Sequence, residues 1–364
     1  MTILTVIASF LCWSCGSDSD LIGNSTNAGN GIVDGISADI ISMDFSGGGA
    51  TRTEGVQDKY QENYFDMDGL TPYSMAFTKE SILHVSQHTT PRPAFLSDED
   101  IYTFRYMPEQ TDASWDDENT FNFAPYRQTT PLEWNTIGNG GSVNGGFAMY
   151  SLYFPGEEKV RRKTLPDGSI GYSVMQDQST LENLHKSDIL GAYHSTDKMF
   201  ERIKFKLYHL MTYVRIRLYV PLYDNEKNTG FREDALLYAT LNHVTPDFSI
   251  DWGAIRSSDS QGPFVTALSG DDEIIMYQHP LEEGQTSHPI TEIHYNDYFR
   301  DGYYDQGITG DTDKVRVYDF SVIIPKQKGL SDDGQESTFT KTDFLNFYFR
   351  TNSGAVTRYY FNES

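Results

Sequence analysis

The chain has 364 residues, with 52 acidic against 28 basic side chains and a formal charge of −24. That balance repels phosphate backbones and anionic headgroups, so nucleic acid is not an expected partner, and a mean hydropathy of −0.51 excludes a bundle of membrane-spanning helices. The length suits two domains of about 150 residues each, and the 24 Tyr and 22 Phe favour strands.

Ile3 to Trp13 reads ILTVIASFLCW, an apolar run of signal-peptide length that is too short to cross a bilayer as a helix. It ends in Ser14-Cys15-Gly16, and a small residue before a cysteine at the end of such a run resembles a lipobox. The resemblance implies a signal peptide over 1–14, cleavage between Ser14 and Cys15, and acylation of the Cys15 thiol. Each acyl methylene buried in a bilayer contributes about 0.8 kcal/mol, so several chains together anchor a soluble protein. An ordinary cleaved signal peptide is the alternative. Gly16-Ser17-Asp18-Ser19-Asp20 is similar to the acidic stretches that send lipoproteins to the outer face of the outer membrane in some anaerobes. Residues 15–35, rich in Gly, Asn and Ser towards Gly35, read as a lipidated flexible tether. Cys12 and Cys15 are the only cysteines, so neither a disulfide in the folded part nor a cysteine-built zinc site is expected.

Beyond the tether, apolar residues recur at period two between clusters of Gly, Asp, Asn and Pro, which predicts an all-β chain. Ile40 to Phe45 is the expected first strand, followed by Ile101 to Met107, Phe147 to Phe154 and Lys314 to Pro325. Ser179 to Leu190 is the one candidate helix. In Arg202 to Pro221, Ile203, Phe205 and Leu207 share one face, whereas Val214, Ile216, Leu218 and Val220 share the inward face further on. The parity flips, so Tyr208 to Tyr213 must hold a bulge, bend or loop. His209 falls there, where a histidine is expected to satisfy buried backbone groups. Asp224 to Asp234, DNEKNTGFRED, interrupts the pattern and suggests domains at 36–223 and 235–364.

No catalytic layout emerges. His84, His88, His185, His194, His209, His243, His279, His288 and His294 show no metal-ligand spacing, and there is no nucleophile elbow. The glycines from Gly138 to Gly146 lack a P-loop lysine and read as a hairpin loop. Asp66-Met67-Asp68, Asp116-Asp117-Glu118, Asp271-Asp272-Glu273 and Asp311-Thr312-Asp313 lack a full calcium-loop pattern and read as solvated turns. A carboxylate pair for glycoside hydrolysis would meet only in the fold. No catalytic residue, metal site or cofactor is therefore expected.

Pro131-Leu132-Glu133-Trp134 before a glycine loop, Phe147 to Pro155, Asp177-Gln178-Ser179, Ser187-Asp188-Ile189-Leu190 and the run Ile203 to Leu218 occur in an order that resembles the fimbrillin-like lipoproteins of gut and oral anaerobes, which build or decorate type V pili. The resemblance implies two tandem transthyretin-like (Ig-like) antiparallel β-sandwich domains, a surface-exposed outer-membrane lipoprotein or fimbrium component, and assembly with other fimbrial subunits by strand donation. A groove left by a missing strand exposes unpaired backbone groups and an apolar core that another subunit's strand fills. In that family an arginine-specific protease removes the first strand, and here Arg52, before Thr53 in a glycine-rich stretch, is the candidate processing point; the plainer reading is an exposed loop charge. Host or bacterial surface glycans or proteins would be the adhesive partners. The competing expectation is a lipid-anchored glycan-binding module of a nutrient-uptake system, with Trp115, Trp134 and Trp252 stacking on sugars. A flat exposed aromatic row favours that module, and a first strand removable from a deep apolar groove favours the pilus reading.

Overall fold

The structure is a computed structural model that describes residues 33, 35–41, 77–87, 95, 98, 101–108, 120–133, 147–165, 168–196, 203–226, 230–256, 264–294, 312–327 and 343–360. Among these, short strands dominate and only two short helices occur. No helix among them is long and apolar enough to cross a membrane, which says nothing of a β-barrel.

Seven strands, β1 (Ile36–Ile41), β2 (Ile82–Gln87), β3 (Ile101–Tyr106), β4 (Thr120–Pro125), β5 (Phe147–Tyr153), β8 (Leu190–Thr196) and β9 (Lys204–His209), close on themselves in the order β1-β4-β3-β2-β5-β8-β9. All pairs are antiparallel except β1 with β9, which is parallel and closes the barrel. Alternation sends Leu83, Phe104, Phe123, Met149, Phe205 and Leu207 into its core, each fully buried.

Three four-stranded sheets complete the fold. β6 (Lys163–Thr164) and β7 (Ile170–Ser173) join β12 (Asp247–Ile250) and β13 (Val265–Ala267). β10 (Thr212–Pro221), β15 (Tyr277–Gln278) and β16 (Ile290–His294) pair with the long β17 (Thr312–Ile324). β11 (Leu236–Val244), β14 (Asp272–Ile275), β18 (Leu345–Arg350) and β19 (Val356–Tyr360) form the last sheet. One apolar core, from Phe95 and Phe154 through Phe248 to Phe320 and Phe347, is shared by these sheets.

The expectation of an all-β chain holds, but two tandem sandwiches do not describe it. Sandwiches in series would keep each strand paired within its own half. Instead β7 pairs with β12 and β10 with β17, joining strands on either side of residues 224–234. The expected strands at 101, 147 and 314 are present, and α1 (Leu181–Lys186) lies within the expected helix. Thr180 caps α1 by accepting from the Asn183 N–H at 3.2 Å, and Lys186 reaches Glu182 at 2.9 Å one turn earlier. The first strand starts at Ile36 rather than Ile40, sharing only Ile40 and Ile41 with the expected run, and residues 42–45 lie outside the described residues.

The parity flip falls where expected, at a short break between two strands. β9 ends at His209, buried Leu210 and Met211 intervene, and the chain leaves the barrel to enter the β17 sheet as β10. Leu210 is held there by its N–H donating to the Ile189 carbonyl at 2.9 Å, and packs so tightly over Gly191 that a Cβ at that position would lie 2.9 Å from the leucine side chain. His209, at the end of β9, has its Nδ1 2.8 Å from the carboxylate of fully buried Asp188.

Candidate functional site: the first-strand seam

β1 is the strand through which the barrel closes. Its sequence ISADII places Ile36, Ala38 and Ile40 on the core face, with Ile36 and Ala38 buried and Ile40 partly so. Ala38 has Phe121 of β4 and Phe205 of β9 as its Cα partners, one on each side. A side chain this small lets the strand lie between two aromatic neighbours.

The opposite face carries the polar anchors. Asp39 takes a hydrogen bond from Thr120 Oγ1 of β4 at 2.8 Å and an ion pair from Lys204 Nζ of β9, also at 2.8 Å, so one carboxylate ties β1 to both neighbours. Ser37 donates its backbone N–H to the Ile203 carbonyl at 3.0 Å. Just before the strand, Val33 donates to the Leu132 carbonyl at 2.8 Å. Without β1, the facing edges of β4 and β9 would lose their ladder partners, and Phe123, Phe205 and Leu207 would face an open slot.

An aromatic cluster closes the neighbouring wall. Phe77 meets Phe121, Phe123 and Tyr153 edge-on at centroid distances of 4.7, 5.2 and 5.0 Å. The Tyr153 hydroxyl pairs with Ser81 Oγ at 3.0 Å, and burial raises its pKa above the ordinary phenol value. The wall is largely apolar, suited to receive a strand and poor in reactive groups.

Ser14, Cys15, Arg52 and Thr53, and with them the glycine loop around 138–146, lie outside the described residues, as do His88, Trp115 and Trp134. His84 is buried in β2 with Nε2 3.1 Å from the Glu158 carbonyl, and burial lowers its pKa. Among the described residues no group of three or more His, Cys, Asp or Glu side chains could hold a metal ion. Trp252, on α2 (Trp252–Arg256), is stacked on buried Phe95 at 5.6 Å and set edge-on to Tyr150 at 5.0 Å. It packs between rings instead of presenting a flat sugar platform.

The short motifs of the sequence turn out to be architectural. Leu132 is fully buried in the barrel core. Gln178 extends its amide to the edge of β17, donating to the Ile323 carbonyl at 2.8 Å and accepting from the Ile323 N–H at 2.9 Å. Ser187 accepts from the Met175 N–H at 3.1 Å, and Asp188 holds His209. Sequence reasoning missed a polar and aromatic face on β10, β15 and β17; the alternation of Tyr213, Arg215, Arg217 and Tyr219 marks its β10 side, but nothing local marks the strands it pairs with.

No protein-family model matches the chain, and no curated protein matches it in sequence. Among solved structures, it is similar to a proposed cell adhesion protein from Bacteroides ovatus ATCC 8483, at 12% identity over 78% of this chain and 77% of that one, with a TM-score of 0.33. A proposed adhesin from the same organism shares 8% identity over 90% of this chain and 82% of its own, with a TM-score of 0.33. A proposed cell adhesion protein from Bacteroides fragilis NCTC 9343 shares 6% identity over 82% and 80%, again with a TM-score of 0.33.

Proposed function

We propose that this chain is a non-catalytic cell-surface adhesion protein, delivered to the outer membrane by a lipid on Cys15 and freed from that lipid by cleavage after Arg52, whose copies then join one another or other fimbrial subunits by exchanging the strand at the β1 position. The observation that carries the reading is the seam itself: one strand, antiparallel to one neighbour and parallel to the other, closes an apolar barrel. A strand from another copy can supply the same backbone bonds and the same small core-facing side chain, which is how an extended segment completes an open sheet. Cleavage after Arg52 would release the covalent tie of β1 to the rest of the chain and leave Thr53 as the new first residue. The lipobox-like Ser14-Cys15-Gly16 supports the anchor.

The test uses a reversible lock. Asp39 and Thr120 are Cα partners on adjacent antiparallel strands and their side chains already touch, so the pair D39C and T120C is placed to form a disulfide. The oxidised double variant, treated with an arginine-specific protease, is expected to stay monomeric, while the reduced form assembles. Assembly of the oxidised form to the same extent would sink the reading.

A further inference from the structure

The sheet β14-β11-β18-β19 has one buried face and one open face. Ala239, Leu241, Ile274, Phe347 and Phe349 belong to the shared core. Alternation therefore sets Glu273, Tyr238, Tyr348, Arg350, Arg358 and Tyr360 on the opposite face, the last two opposite Tyr348 and Asn346 of β18. Val356, the Cα partner of Arg350, shares it. Tyr238, Val356 and Tyr360 are 37%, 57% and 47% exposed, and large side chains exposed together on one sheet face mark a contact surface.

A tyrosine pair occupies the middle. Tyr238 and Tyr348 are Cα partners, and their rings stack at 4.3 Å with planes 18° apart. The charges lie on opposite sides of that pair. Arg350, two residues beyond Tyr348 on β18, is exposed and forms no ion pair among the described residues. Glu273 lies the other way, beside Asn242, which is four residues beyond Tyr238 on β11. It is exposed too, and its partners among the described residues are hydroxyls, Tyr348 at 3.3 Å and Thr240 at 3.4 Å. The two corners are about 20 Å apart along the strands. Arg358, the other cation on this face, lies 3.8 Å from Asp343 and over the Tyr360 ring at 5.3 Å.

A face with an open cation at one corner, an open carboxylate at the opposite corner and aromatic rings between them is complementary to itself. Turning a second copy over about a two-fold axis lays its Glu273 corner on the Arg350 corner of the first, and the reverse. We propose that this outer face joins two copies of the chain, with Arg350 of each copy on Glu273 of the other and the two Tyr238–Tyr348 pairs meeting near the axis. Stacked sheets lie about 10 Å apart, a gap that an arginine and a glutamate side chain together span. Tyrosine and arginine are also the side chains that most often carry the binding energy of a protein contact. Four strands about 4.8 Å apart make a small face, at the low end of specific interfaces, so a reversible dimer in the micromolar range is expected. The charge of −24 on each copy opposes pairing, but beyond about 8 Å it is largely screened at physiological salt, and the local pairs decide. The contact uses neither β1 nor cleavage after Arg52, so it does not depend on strand exchange.

Sedimentation velocity on the uncleaved full chain, from about 1 to about 100 µM, should show a monomer passing into a dimer. R350E and E273R, each with an unchanged melting temperature, should weaken that dimer at least about tenfold, because each sets like charges against one another. Mixed in equal parts, the two variants should recover it, since every corner then pairs a guanidinium with a carboxylate. A chain that stays monomeric at about 100 µM, a dimer unaltered by both variants, or a mixture that associates no better than either variant alone would overturn the proposal.

Discussion

Histidines carry much of the chain's hidden organisation. Asp188, fully buried, gives its carboxylate to His209 Nδ1 at 2.8 Å, joining the segment after α1 to the end of β9. Replacing Asp188 by Ala removes that partner from a buried imidazole, and a loss of about 1–3 kcal/mol in denaturant unfolding is expected, with Asp188→Asn recovering part of it. His243 is bound at both nitrogens, to Asp271 at 2.5 Å and to Asp343 at 2.6 Å, and sits at a positive φ of 60° where the β11–β14 register shifts. The bond to His243 is the main reason the Asp343 carboxyl lies below its ordinary range. The sequence showed Asp271-Asp272-Glu273 as a solvated turn; its partner His243 lies in another strand, and no local pattern joins them.

Elements were legible where periodicity is strong. The alternating runs at 101, 147 and 314 became strands, and the flip within 208–213 located the place where the chain changes sheet. β1 was misplaced for a physical reason: Ser37, Ala38 and Asp39 dilute its apolar signal, yet the short Ala38 and the doubly bound Asp39 are what seat it between β4 and β9. The role of Gln178 was also illegible, because its partner Ile323 is far along the chain. Gln178→Ala strips both bonds from a buried backbone N–H and C=O, and a stability loss of about 2–3 kcal/mol is expected in urea unfolding. Gly230 stands at φ +84°, and a Cβ there would come within 2.1 Å of the Leu222 carbonyl oxygen. Gly230→Ala should therefore cost about 2 kcal/mol or more, and the turn between β10 and β11 should become the first site of limited proteolysis.

The all-β character of the molecule was legible from composition and alternation, but its sheet partners were not. β10 and β17 lie almost a hundred residues apart, and period two says which face a strand buries without saying what it pairs with. Acid should act on four partly or fully buried histidines together. His84, His185, His279 and His288 all have pKa values lowered from 6.5, burial being the first cause in each. Below the unfolded value the unfolded chain takes up protons that the folded chain refuses, so stability is full above it and falls as pH drops. The melting temperature is expected to decrease steadily from about pH 7.5 to pH 5, and a flat profile would contradict this assignment. The strand seam remains the feature on which the proposed function turns. Its most direct measurement is unboiled, non-reducing electrophoresis of the surface-purified protein with amino-terminal sequencing of every band. The account predicts a ladder of multimers whose chains begin at Thr53, whereas a ladder of chains still carrying Ile36 to Ile41, or cleaved chains that run only as monomers, would contradict it.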